Sequence, residues 1–430
     1  MAKYSYSGTK DKKMVKGEIE AQSELDAKAK LREANIQPTR VFLPLEYADI
    51  QFISYQVDTF PKTGNLHYMG NRDHIFDGQV HSLPTYEIDD EYLGKASAKD
   101  DIDNRCDLVK EAIEAAAKRA EISAAENCLK LFMMPEFYFR GSAGAYSLDD
   151  YQKVIEKLRK LVEGDNWKNW LFVFGTILAI FEPLAIETEG SKGKIQNRKT
   201  ILNTVLVQKG GAGEEKSCVI VKDVMSNIDF SRQKQIKFDA ATGQRYVIKK
   251  NAAPDHLWDE NVDHLKAGKQ KGWWIFKKWD PNQKAGKENQ VANYSGLGIF
   301  EMEKITFGVE VCLDHALQRL KKSPLPKGNN WIQVQLIPSA GMDPKEESVV
   351  ACKHGWVFNC DGRARTHIHE VKSEWQINID ATLQLEELPA ARCKIHTAGD
   401  GLKKFNDSFT GEAFLKIFQP KPLPAAKSVT

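Results

Sequence analysis

The sequence predicts an α/β chain. Apolar runs of strand length alternate with amphipathic helical patterns over most of its 430 residues, the arrangement that gives sheets covered by helices. Three of those runs each end in a chemically capable side chain, in the order Glu136, Lys222 and Cys312.

Residues 1–45 read as a unit of their own. Residues 3–7 alternate, Asp11, Lys12 and Lys13 make a charged turn, and residues 14–21 alternate again. Ser23 and Asp26 form an N-cap pair ahead of Leu25, Ala27 and Leu31; Pro38 then stops the helix and residues 39–43 supply a third strand. The result is a small ββαβ module. Two uses compete for it, partner binding or oligomerisation against a structural appendage, since so small a unit buries little core alone.

The main domain spans residues 46–420 and opens on a strand at 50–56. The polar stretch that follows, with Gly70 and Gly78 among acids and histidines, reads as a long loop of the lid or binding type. Val109, Ala112, Ile113, Ala116 and Ala120 recur at helical spacing, and Ser147 with Asp150 caps a second helix that buries Tyr151, Ile155, Leu158 and Val162. Its charged side, Lys153 to Lys160, is a solvated face. Residues 171–180 form a buried strand, too short and too interrupted at Gly175 and Thr176 to cross a bilayer. Residues 185–199 are a surface loop.

Residues 201–208 and 218–222 form a hairpin around Gly210–Gly213. An insertion occupies about residues 230–295 and carries Trp273, Trp274 and Trp279 among lysines. A substrate lid, a subunit contact and a half-buried strand compete for that stretch. Residues 331–337 are again a buried strand, 357–361 and 366–370 pair through an Asp361–Gly362 turn, and the tail at 421–430, entered through Pro420, is extended or mobile.

Composition bounds the function. With 42% hydrophobic residues a sizeable core is available, and a formal charge of +2 gives no general attraction to nucleic acid or to an anionic membrane. The seven cysteines are scattered without paired spacing, as in a reduced, cytoplasmic protein, and the start of the chain has no apolar signal-peptide core. His367, His369, Cys352, His354 and Cys360 match no usual ligand spacing. No metal and no cofactor is expected.

The chemistry-bearing stretches can be weighed singly. Cys312 ends a β-type run and precedes a helical pattern, so the thiol sits on a strand-to-helix turn of the kind that presents nucleophiles; a buried, inert cysteine is the competing reading. Glu136 follows Pro135 within a run of aromatics, where desolvation disfavours its charged form and suits it to act as a base. Phe137 and Tyr138 are candidate pocket residues with core packing as the alternative. Asp314 and His315 are candidate substrate contacts; helix capping competes for the first, and surface or packing for the second.

As an ordered set, the strand before Glu136, Phe174-Gly175-Thr176, Asn203-Thr204, Lys222, Cys312 and Leu336-Ile-Pro-Ser-Ala-Gly341 resembles the nitrilase superfamily, the carbon–nitrogen hydrolases, over about residues 48–400. That resemblance implies a four-layer αββα sandwich, a Glu136–Lys222–Cys312 triad, a covalent cysteine intermediate, a small-molecule amide or nitrile substrate, and a homodimer or higher homo-oligomer. An acyltransferase on the same fold and a catalytically silent scaffold are the alternatives. The sequence departs from the family after the cysteine, where Leu313-Asp314-His315 replaces the arginine and Phe-Pro-Glu of many members. A second acid common after the lysine has only Asp229 and Asp239 as counterparts. Residues 1–45, through Tyr4-x-Tyr6-x-Gly8 and Val15-x-Gly17-x-Ile19-x-Ala21, resemble the N-terminal repeat of F-type inner-membrane proteins of type II secretion and type IV pilus systems.

Overall fold

The computed structural model describes residues 2–42, 47–60, 66–76, 79–88, 92–181, 200–222, 235–239, 244–248, 256–259, 298–322, 332–363, 366–372, 385–387, 389–397 and 403–424. The N-terminal unit is the expected ββαβ. Strands β1 (Ala2–Lys10) and β2 (Lys13–Ala21) are joined by Asp11 and Lys12, both at positive φ (50° and 64°), as in the two-residue hairpin turn whose twist suits a β-ribbon. Helix α1 (Glu24–Glu33) starts where Ser23 accepts the Asp26 amide at 3.1 Å. It ends at Ala34, with Asn35 at φ 60°, so the stop is made before Pro38. That proline lies in β3 (Gln37–Phe42), an edge strand in the order β2-β1-β3, where a missing N–H is tolerated.

Tyr4, Ala21, Ala27, Leu31, Ile36 and Val41 form a separate small core. Gly17 pairs with Tyr6 across the ladder, and a Cβ there would approach the Tyr6 ring and hydroxyl to 2.8–3.0 Å. The Tyr6–Gly17 part of the motif is thus an aromatic lying over a glycine.

Strand β4 (Asp49–Asp58) opens the main domain. Residues expected as loop instead form the antiparallel hairpin β5 (Leu66–Phe76) and β6 (Gln79–Ile88); their side chains are too polar to show an apolar alternation. Helix α2 (Ala98–Ala117) and strand β7 (Cys128–Met133) follow, then β8 (Tyr146–Ser147) and α3 (Leu148–Leu161), with Ser147 accepting the Asp150 amide as expected. Next come β9 (Trp170–Phe181), β10 (Thr200–Lys209) and β11 (Ser217–Val221).

The insertion contributes an antiparallel meander, β12 (Gln235–Asp239), β13 (Gln244–Ile248) and β14 (His256–Asp259). Its tryptophan-rich stretch at 273–279 and the expected loop at 185–199 lie outside the described residues.

The chain then runs through β15 (Ile299–Met302), β16 (Ile305–Val309), α4 (Leu313–Ala316), α5 (Arg319–Lys322), β17 (Ile332–Ser339) and β18 (Ala351–Asp361). It closes with β19 (His367–Val371), β20 (Leu385–Glu387), β21 (Ala390–Thr397), α6 (Lys403–Asn406), β22 (Thr410–Phe418) and β23 (Lys421–Pro422).

Two large mixed sheets result. One has the order β11-β10-β9-β7-β4-β22-β21, with β8 on β9 and β23 on β4; the other has the order β15-β16-β17-β18-β19-β20. The parallel centres, β4-β7-β9 and β16-β17-β18, are the apolar runs read from sequence. The sheets meet through aromatic side chains, Phe52 against Trp356 and Phe358 at 6.2 and 5.1 Å, and Phe358 against Phe418 at 6.3 Å between ring centres. Helix α3 packs on β9, and α2 packs on α3. On the second sheet, among the described residues, the helices are the single turns α4 and α5, with Leu320 packed on Ile299 and Ile332. The class is α/β.

The end of the chain differs from its expectation. The tail is extended through Pro424, but as a strap: β23 pairs with β4 and the Leu423 amide donates to Ala48 at 2.8 Å. The Pro422 and Pro424 carbonyls accept from Trp356 Nε1 (3.0 Å) and Gln333 Nε2 (2.6 Å) of the other sheet. Prolines serve here because only their carbonyls are used on that side. Truncation after Gln419 should lower stability by about 2–6 kcal/mol, at about 1–3 kcal/mol for each of the two stranded donors, read as a lower urea midpoint; an unchanged midpoint would count against the strap.

Candidate active site

Cys312 follows β16 by three residues. Its backbone is at φ 48°, ψ −106°, a region that non-glycine residues rarely occupy and that costs of order 1–3 kcal/mol. The turn is held from both ends: its amide donates to Pro338 O at 3.1 Å, and its carbonyl accepts from His315 and Ala316 at 2.9 and 3.3 Å. The strand therefore reverses into α4 within one residue, and the thiol stands at the corner.

Glu136 is placed by the first sheet. Beyond β7, the Met134 amide donates to Val173 O at 3.0 Å. Gly175, at φ +57°, lets β9 close on Pro135: a Cβ there would lie 2.2 Å from the Pro135 carbonyl oxygen, an approach only glycine permits. Thr176 then accepts the Phe137 amide at 2.8 Å through its hydroxyl and the Phe139 amide at 3.0 Å through its carbonyl. Phe137 is itself at φ 64°. The glutamate between these anchors gives its own amide to Ser339 O at 3.2 Å.

Lys222 stands one residue past β11, its amide donating to Asn203 O at 2.8 Å. Glu136 Oε1 accepts from Lys222 Nζ at 2.8 Å and from Asn203 Nδ2 at 2.9 Å, so Asn203 orients acid and lysine together. The Glu136 carboxyl, the Lys222 ammonium and the Ala340 amide all act on the Cys312 thiol from close by. All three sequence-named residues thus meet. Relative exposures of 0% for Glu136, 2% for Lys222 and 7% for Cys312 make Cys312 the most open residue of the three.

Burial, and after it the neighbouring Glu136 carboxylate, pushes the Cys312 thiol well above the ordinary thiol range; Lys222 and the Ala340 amide oppose that shift. At neutral pH the resting sulfur carries its proton, with the Glu136 carboxyl beside it.

The other named residues separate. Phe137 lies at the site, with Lys222 Nζ 5.6 Å and the Arg140 guanidinium 4.5 Å from its ring centre. Tyr138 packs in the core on Phe409 (4.7 Å) and Phe139 (5.0 Å), and its carbonyl accepts from Arg105 at 2.6 Å. Its geometry is that of the core reading.

Asp314 is buried inside α4, 3.8 Å from Arg319. The cap position belongs to Cys312, so Asp314 is not the capping residue. His315 is buried with both ring nitrogens engaged, Nδ1 with Glu310 at 2.7 Å and Nε2 accepting the Lys345 amide at 2.9 Å. That is the packing alternative. These partners set the tautomer with hydrogen on Nδ1. Of the second-acid candidates, Asp229 lies outside the described residues and Asp239 ends β12.

Sequence reading missed the groups behind the turn. Glu310 accepts from Leu320 N (2.7 Å), Gln335 Nε2 (2.8 Å) and His315, bracing α4 against β17. A carboxylate two residues before the cysteine in an otherwise apolar run was the available signal.

Comparison with known proteins bears on the two parts of the chain separately. Residues 1–41 match the family model of the type II secretion system protein F, N-terminal domain. Both motif glycines, Gly8 and Gly17, and all of the ββαβ module's secondary structure except Phe42 at the end of β3 lie within that match. No curated protein matches the chain.

Among solved structures, an amidase from Nesterenkonia sp. is similar at 11% identity and TM-score 0.32, covering 87% of this chain and 92% of that one. A cysteine-to-alanine mutant of Nesterenkonia AN1 amidase from the nitrilase superfamily is similar at 10% identity and TM-score 0.33, with the same coverage of 87% and 92%. A glutamate mutant of that amidase, showing covalent addition of the acetamide moiety of fluoroacetamide at the active site cysteine, gives 12% and 0.34, again over 87% and 92%. Likenesses at this level leave the functional reading to the side-chain geometry.

The raised thiol sets a pH dependence. Because the thiolate is the nucleophile, alkylation of Cys312 by iodoacetamide, followed by peptide mass spectrometry, should be slow at pH 7 and still rising above about pH 9, past the ordinary thiol value of roughly 8.5. A plateau below pH 8 would contradict the burial argument. The same shift stabilises the fold below the unfolded thiol's value, and that contribution is lost as pH rises beyond it.

Proposed function

We propose that this chain is a thiol-dependent hydrolase of a carbon–nitrogen bond, amide or nitrile, in a small molecule, built on a nitrilase-like domain that runs from residue 46 to the strap at 424. The observation that carries the reading is one carboxyl, Glu136, bonded to the buried Lys222 ammonium at 2.8 Å, with both charged groups acting on the Cys312 thiol beside them. A structural ion pair has no need of a thiol as its third member.

In this reading an amide enters with its carbonyl carbon over the sulfur. Glu136 takes the thiol proton as Sγ attacks, and the carbonyl electron pair moves onto oxygen, where the Lys222 ammonium stabilises it. Collapse of the tetrahedral species breaks the C–N bond as Glu136 returns the proton to the departing nitrogen. A thioester on Cys312 and free amine result. Water then gives a proton to Glu136 and adds to the thioester carbon, releasing the acid and the thiol. For a nitrile the first adduct is a thioimidate; one water adds to its carbon and ammonia leaves with a proton returned by Glu136, giving the same thioester, which a second water hydrolyses to the acid. Phe137 would form one wall of the acyl pocket, with Asn203 keeping the carboxyl turned toward the sulfur.

Mass spectrometry after incubation with panels of small amides and nitriles tests this. The expected result is an acyl adduct on Cys312 that disappears in water as acid accumulates. Discharge to added amines alone would make the protein a transferase, and no adduct from any panel member would overturn catalysis.

Cys312→Ala should remain folded and lose product to background. Glu136→Gln should lower kcat by about 10²–10⁴-fold, the usual weight of a general acid–base group. Turnover retained by Cys312→Ala would defeat the assignment.

A further inference from the structure

Asp361, at the end of β18, is fully buried, and nothing in the proposed reaction uses it. Its carboxylate accepts from Ser339 Oγ at 2.5 Å, from the Gly341 amide at 2.9 and 2.8 Å on its two oxygens, from the Met342 amide at 2.9 Å and from the Arg363 amide at 2.8 Å. The donors from residues 339, 341 and 342 all belong to one segment, so the loop after β17 is wrapped around this side chain. Asn359 braces it further, donating to Ser339 Oγ at 2.7 Å and to Ile337 O at 3.0 Å.

The opposite side of that loop carries the site. Pro338 O receives the Cys312 amide at 3.1 Å; Ser339 O receives both the Glu136 amide at 3.2 Å and the Gly362 amide at 2.9 Å. Ala340, between the anchored residues, has its amide near the sulfur, where it favours the thiolate. The nucleophile comes from one sheet and the base from the other, and this segment is bonded to the backbone of both.

We propose that Asp361 is a positioning residue for Cys312 and Glu136: it holds residues 338–342 in the shape that fixes the spacing of those two backbones. A carboxylate suits the task because it only accepts hydrogen bonds, through two oxygens, and every group facing it donates. An asparagine would turn an NH₂ toward backbone amides and spread the loop. The catalytic meaning of this role rests on the thiol-hydrolase reading.

The test reads the thiol without substrate. Carbamidomethylation of the Cys312 peptide by iodoacetamide is timed between about pH 7 and 9 in the full chain, in Asp361→Asn and in Ser339→Ala, with thermal unfolding recorded for each. Loosening the spacing between the thiol and the groups that favour its thiolate should slow Asp361→Asn by about tenfold at every pH, equivalent to roughly one pH unit. Ser339→Ala, which keeps the carboxylate and removes one donor, should slow it less.

An unchanged or faster rate in folded Asp361→Asn overturns the proposal. Should that variant not fold, Ser339→Ala decides, and a rate equal to the parent chain's overturns it. Slowed alkylation in a protein that turns over no amide or nitrile would refute the hydrolase reading alone.

Discussion

The bond between Lys222 and Glu136 is the constraint on which the site depends. Both side chains are fully withdrawn from water, and burying either charge alone costs several kcal/mol, so each needs the other in place. Geometry must be good for such a pair to hold. Asn203 supplies it by donating to the carboxyl through its amide and accepting the lysine's backbone N–H through its carbonyl. A residue on β10 thereby sets the relation between groups at the ends of β7 and β11, all within one sheet.

The sulfur arrives from the other sheet, and its placement is a matter of backbone rather than of charge. Cys312 and Phe137 both have positive φ, and both flank the contact between thiol and carboxyl. Conformations of that kind persist only where the surroundings over-determine them. Here the surroundings are concrete: Glu310 and His315 behind α4, Thr176 under Phe137, and the loop around Asp361 joining the two sides. The aromatic layer of Phe52, Trp356, Phe358 and Phe418 keeps the sheets at a fixed separation beneath them.

Much of this was legible in the residues. Glu136, Lys222 and Cys312 could each be named because a polar, reactive side chain at the end of an apolar run has no packing reason to be there. The ββαβ unit and the caps at Ser23 and Ser147 were legible for a local reason: a turn, a cap and an alternating strand are decided within a few residues. Other parts failed for equally physical reasons. β5 and β6 are too polar to announce themselves as strands, and Asp361 reads as an ordinary Asp–Gly turn residue until its four donors are assembled around it. His315 and Tyr138 look like pocket residues by adjacency to the reactive groups, yet each side chain turns toward partners the sequence does not bring near.

The sequence by itself determined the α/β class, the order of the chemically capable residues and the small N-terminal unit, because periodicity and local capping are short-range. Tertiary structure alone decided that acid, lysine and thiol come to one buried place, that a proline-bearing tail straps both sheets, and that a loop far from Cys312 in the chain accepts its amide. Those outcomes rest on hydrogen bonds between residues separated by tens to hundreds of positions, and a contact at that distance is fixed by how the sheets pack and not by any pattern along the chain.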